Sequence, residues 1–97
     1  MEHIFLPNQR IIVLQGLEKD AGRTLSNEMI QRLLKTYGHT VSLTEVNALI
    51  SWLEVRGYVS TERLADKALV LVTLTRSGLD VALGYSRADG IDPPFTE

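Results

Sequence analysis

A chain of 97 residues and 10.8 kDa has room for one hydrophobic core and not for two. It is 44% apolar and 23% charged and contains no cysteine, which excludes a disulfide framework, a thiolate zinc site, an iron–sulfur cluster and a cysteine nucleophile. The net charge of -2 and a pI near 5.6 weigh against nucleic-acid binding, because binders of this size are more often basic.

In chain order, Pro7 sits where its missing N–H costs nothing, at the start of a helix expected over Asn8 to Lys19. Ile11, Leu14 and Leu17, widened by Ile12 and Val13, form its apolar stripe. A second helix is expected from the N-cap Ser26, with Leu25 and Ile30 as a hydrophobic staple, through Met29, Leu33 and Leu34 to Tyr37. Gly38 stands in the position of a left-handed C-cap. Ser42 with Glu45 is a capping box, and Val41 with Val46 a second staple, for a third helix from Leu43 to Arg56 that stops at Gly57.

The period then changes from that of a helix to that of a strand. Tyr58 to Arg63 and the β-branched run Ala68 to Leu74 read as a two-stranded ribbon, with Leu64 to Lys67 as its tip. Thr75 caps a short fourth helix from Arg76 to about Leu83, and Gly84 ends it. Residues 1–84 thus form one domain, and residues 85–97 read as an extended, partly mobile tail. The order of elements is that of a winged helix-turn-helix, α+β with helices dominant.

Two junctions sharpen this reading. Leu53-Glu54-Val55-Arg56-Gly57-Tyr58-Val59 ends a helix in glycine and feeds a strand; Val72-Thr73-Leu74-Thr75-Arg76-Ser77-Gly78-Leu79-Asp80 passes a strand to a capped helix. Both resemble the corresponding junctions of winged-helix regulators of the arsenic-repressor (ArsR) and multiple-antibiotic-resistance (MarR) types. Phe5-Leu6 with Gln9-Arg10, then Tyr37-Gly38-His39-Thr40-Val41-Ser42, then Ser51-Trp52-Leu53-Glu54 resemble a family of small ArsR-like proteins of Mu-like bacteriophages and prophages. The resemblance covers nearly the whole chain and implies the winged-helix fold and a phage or prophage setting. Thiolate metal sensing, common among arsenic-repressor relatives, does not carry over to a chain without cysteine.

Catalysis has little to stand on. His3 lies near the terminus and His39 in the turn between the second and third helices, where a helix end recruits such residues for packing. No histidine pair at helical spacing, glycine-rich phosphate loop or nucleophile elbow is present, so neither enzyme activity nor a metal or other cofactor is expected. Asp66, Glu62, Asp89 and Asp92 read as solvated surface acids. No apolar run approaches the ~18–20 residues of a membrane span, and the first residues lack a signal peptide's basic and apolar regions, so a cytoplasmic location is expected.

The third helix is the segment to weigh for binding. Leu43, Val46, Leu49, Ile50 and Leu53 share its core face, while Thr44, Asn47, Ser51 and Glu54 lie opposite. In a DNA-binding winged helix, Asn47 would pair with adenine and Thr44 and Ser51 would touch base edges or phosphates. Arg63 and Lys67 at the wing, and Arg32 and Lys35 on the second helix, with Arg23 before it, are the candidate phosphate contacts. Against this stand Glu45 and Glu54 on the reading helix and the lack of an arginine or lysine on its outward face. Trp52 lies off the core stripe, as a core residue or an interface anchor. With Ile4, Phe5 and Leu6 before the first helix, and Leu83 and Phe95 toward the end, it marks a candidate homodimer interface. The sequence therefore supports a homodimeric regulator that binds duplex DNA, with a protein-interaction adaptor of the same fold as the alternative.

Overall fold

The computed structural model describes residues 4–64, 66 and 68–95. The elements run α1 (Leu6–Lys19), β1 (Thr24–Ser26), α2 (Asn27–Thr36), α3 (Leu43–Val55), β2 (Val59–Leu64), β3 (Leu69–Leu74) and α4 (Arg76–Ala82). This is a winged-helix fold, α+β with four helices and a three-stranded antiparallel sheet.

Helix α1 begins at Leu6, two residues before the expected start, because proline is tolerated throughout the first turn, where N–H groups have no intrahelical partner. It is the central helix. Ile11, Ile12, Val13, Leu14 and Leu17 are all buried, against α2, α4 and β3. Asp20 then closes a turn by accepting from the Gly22 and Thr24 amides at 3.0 and 3.2 Å.

The ribbon expected to have two strands is a sheet of three, in the order β1-β3-β2. Thr24 pairs with Thr73, Leu25 with Val72 and Ser26 with Leu71, and the Thr24 and Thr73 hydroxyls share a hydrogen bond of 2.9 Å. Three residues are too few to display a period of two, and Ser26 also serves as the α2 N-cap, accepting from the Met29 amide. β3 alternates as a half-buried strand should, with Val70, Val72 and Leu74 turned into the core.

The helix-turn-helix follows the local grammar of the sequence. Gly38 takes φ +93, a left-handed conformation that ends α2, and the Ser42–Glu45 capping box opens α3 with bonds of 2.8 and 3.1 Å. His39 packs at this turn as expected. Gln9 Nε2 donates to its Nδ1 at 3.2 Å and its Nε2 donates to Asn8 Oδ1 at 2.9 Å, so the turn is tied to the first turns of α1.

Residues 85–95 have no regular secondary structure and run back across α1. Asp92 N donates to Pro7 O at 3.1 Å, Phe95 N to Gln15 Oε1 at 3.1 Å, and Ile91 is buried. The Phe95 ring stacks on Tyr37 with centroids 5.9 Å apart.

Candidate functional site

Helix α3 buries Val46, Leu49, Ile50 and Leu53, the stripe expected from its 3.6-residue period. Leu43 is half-buried at the edge of that stripe. The opposite line, Thr44, Ala48, Ser51 and Val55, is exposed, with Val55 at 82%. Every side chain on it is short and uncharged, so the helix backbone can approach another surface closely.

The two shoulders of this line differ. Toward the wing, Glu54 is half-buried and its Oε2 accepts from Thr61 Oγ1 on β2 at 2.7 Å, which takes one of the two acids of α3 into the fold. Asn47 is also half-buried, and its Oδ1 accepts from the Nδ2 of the fully buried Asn27 at 3.1 Å. Bidentate pairing with adenine needs both the oxygen and the amide of Asn47, so it would cost this bond. Asn27 itself was not singled out in the sequence; an asparagine one residue after an N-cap reads locally as an ordinary first-turn residue.

Among the basic candidates, Arg63 is exposed on β2 opposite Val70, and Lys67 lies outside the described residues. Arg32 and Lys35 are exposed on α2 and border a shallow depression with Gln31, Thr40 and Val41, next to the turn into α3. Arg23 is exposed in the turn before β1, with φ +54.

On the other shoulder of α3 the structure assembles a feature of which only half, Trp52 with Arg56 four residues on, is local in the sequence. Trp52 lies between Arg10 of α1 and Arg56 at the α3 C-cap, each guanidinium carbon 3.7 Å from the ring centroid. Two groups that close to the ring normal must occupy opposite faces, and each gains from the indole quadrupole. Arg10 donates from a terminal nitrogen to Gly90 O at 2.9 Å, and Arg56 to Trp52 O at 3.3 Å. Burial first, and the nearby Arg56 charge second, hold the Arg10 pKa below the usual arginine range. Trp52 is a half-buried plate between two cations, packed on one side against the core.

Beside it lies a groove of about 380 Å³. Phe5, Leu6 and Arg10 form one wall and Ala48, Leu49 and Trp52 the other. The remaining interface candidates do not join it: Leu83 lies at the α4 C-cap, and Phe95 sits against Tyr37 and Gln15. Ile4 and Phe5 are 72% and 60% exposed, whereas Leu6 packs against the core.

Among the described residues, no group of three or more histidine, aspartate or glutamate side chains is placed to hold a metal ion, and no helix is long and apolar enough to cross a membrane.

No protein-family model matches the chain. An uncharacterized protein of Haemophilus influenzae is 35% identical over 69 residues, which cover 71% of this chain and 67% of that one. The chain solved in the complex structure of hsRosR-S4 superposes with a TM-score of 0.64 at 20% identity, over 84% of this chain and 76% of that one, a likeness of fold. The uncharacterized protein gp26 of Escherichia phage Mu is 34% identical over 91 residues, 94% of this chain and 92% of the relative. With identity sustained over nearly the full length of both chains, this protein belongs to the family of phage Mu gp26.

Proposed function

We propose that this protein is a non-enzymatic DNA-binding protein of a phage or prophage, a cytoplasmic, homodimeric regulator of transcription. The observation that carries the reading is the exposed line of α3, where Thr44, Ala48 and Ser51 offer short side chains opposite the helix's buried stripe. A major groove of ≈ 12 Å admits such a helix. Because α3 supplies no basic side chain along this line, phosphate contacts come from outside it, from Arg63 on the wing and from Arg32 and Lys35 on α2. The likeness of the helix–wing junctions to ArsR- and MarR-type regulators supports the same reading.

A second reading, a protein-interaction adaptor, is favoured by two observations: Glu45 is exposed on α3, and the whole chain carries a net charge of -2. Fluorescence anisotropy on randomised duplexes at several salt concentrations separates the two. DNA binding predicts an affinity that falls steeply with salt, because neutralised phosphates release counterions. No binding below about 100 μM at low salt rejects it in favour of the adaptor.

A further inference from the structure

Among the described residues, no acidic side chain forms an ion pair with Arg10 or Arg56, although the two cations share one indole. Arg10 Nε is itself buried and has no hydrogen-bond partner, so an anion meets this guanidinium through its terminal nitrogens. Arg10 and Trp52 line the groove between α1 and α3, whose walls are otherwise mainly apolar, while Arg56 stacks on the indole from outside it. Its volume is in the range of sites for small organic ligands. The acid that borders the groove, Glu45, is bound to the Ser42 amide and stands seven residues from Trp52, roughly 10 Å along the helix at 1.5 Å per residue. The groove therefore has an apolar body, a cationic end and an anionic charge kept away from that end.

We propose that this groove binds an amphipathic carboxylate, a medium-chain or aromatic acid. Its apolar body lies against Leu6, Val41 and Leu49, and its carboxylate meets the guanidinium of Arg10 beside Trp52. The acid supplies the anion that Arg10 lacks, and a planar guanidinium suits a carboxylate better than a point charge would. Phe5, exposed at 60% on the groove wall, gains cover from the bound chain. This inference does not depend on DNA binding.

Trp52 is the single tryptophan of the chain, so its fluorescence reports the site directly. The intact protein is titrated with octanoate, octanol and octylamine, each to about 10 mM, with melting temperature as a second readout. Octanoate is expected to give a saturable fluorescence change and a raised melting temperature, with affinity at least about tenfold above that for octanol or octylamine. Arg10→Gln should remove that preference while leaving the weak octanol response. Ala48→Phe, which fills the groove from an exposed position without touching the cations, should abolish both responses. The proposal is overturned by the absence of saturation with octanoate, by equal affinity for octanol, or by undiminished octanoate binding in folded Ala48→Phe.

Discussion

Asn27 donates its side-chain amide to Asn47 Oδ1 at 3.1 Å, which joins the first residue of α2 to the middle of α3. The same buried side chain accepts from the amides of Glu28 at 3.1 Å and Val70 at 3.3 Å, and its Nδ2 also reaches Ala68 O at 3.4 Å. One asparagine thus holds both helices of the helix-turn-helix and the start of β3 in a single arrangement. Its polar atoms are satisfied, as a buried amide requires.

Asn27→Ala should therefore lower stability by about 2–3 kcal/mol in urea unfolding, because it strands the buried Val70 amide. Asn47→Ala should cost only about 1 kcal/mol, since Asn27 keeps its other partners. The two losses should fall short of additivity in the double variant, because they remove the same bond. Additive losses would mean that the pair is not coupled.

Gly78 is the third residue of α4, where alanine would ordinarily favour the helix by about 1 kcal/mol. A Cβ at this position would fall on the Tyr58 carbonyl oxygen and 2.8 Å from Leu74 Cδ1. The backbone of α4 is held there by Thr75, whose amide bonds Tyr58 O and whose hydroxyl bonds Gly57 O. Gly78→Ala is expected to destabilise by about 1–3 kcal/mol, as overpacking does, and to lower the melting temperature despite the better helix former. An unchanged or raised melting temperature would contradict this packing.

Sedimentation at tens of micromolar should give about twice the chain mass if the protein is the homodimer proposed. The apolar face of α1 is already consumed within one copy, so the proposed dimer is left with exposed apolar side chains outside it, of which Ile4 and Phe5 are adjacent and precede the helix. Ile4→Asp with Phe5→Asp should yield a folded monomer. A wild-type monomer at high concentration would rule out the homodimer.

On DNA, Arg63→Ala, Arg32→Ala and Lys35→Ala should each weaken binding to all sequences, with the salt slope falling by roughly one unit per lost phosphate contact. Thr44→Ala and Ser51→Ala should leave non-specific binding intact and reduce preference for a selected site, by about 1–3 kcal/mol where a base contact is lost. Asn47→Ala is read against its own stability loss, because its oxygen is engaged with Asn27. Equal losses on random and selected duplexes for Ser51→Ala would remove it from the reading surface.

The sequence by itself determined the features that rest on neighbours along the chain. Ser26, Ser42 and Thr75 cap their helices with bonds spanning three residues, Gly38 and Gly57 end helices through their own positive φ, and the apolar periods mark which face of α3 is buried. The capped helices, the β2–β3 hairpin and the exposure of Thr44 and Ser51 were legible for that reason. Only the tertiary structure decided what depends on residues far apart. β1 exists because β3, some fifty residues on, offers it a free edge. Asn47 is committed because Asn27 is buried beside it, and Arg10 meets Trp52 because folding lays α1 against α3. The meeting of Arg10 with Trp52, and the passage of residues 85–95 across α1, arise when folding brings together segments separated by 40 residues or more, and no local pattern encodes them; Arg56, four residues after Trp52, is the local half of the arrangement.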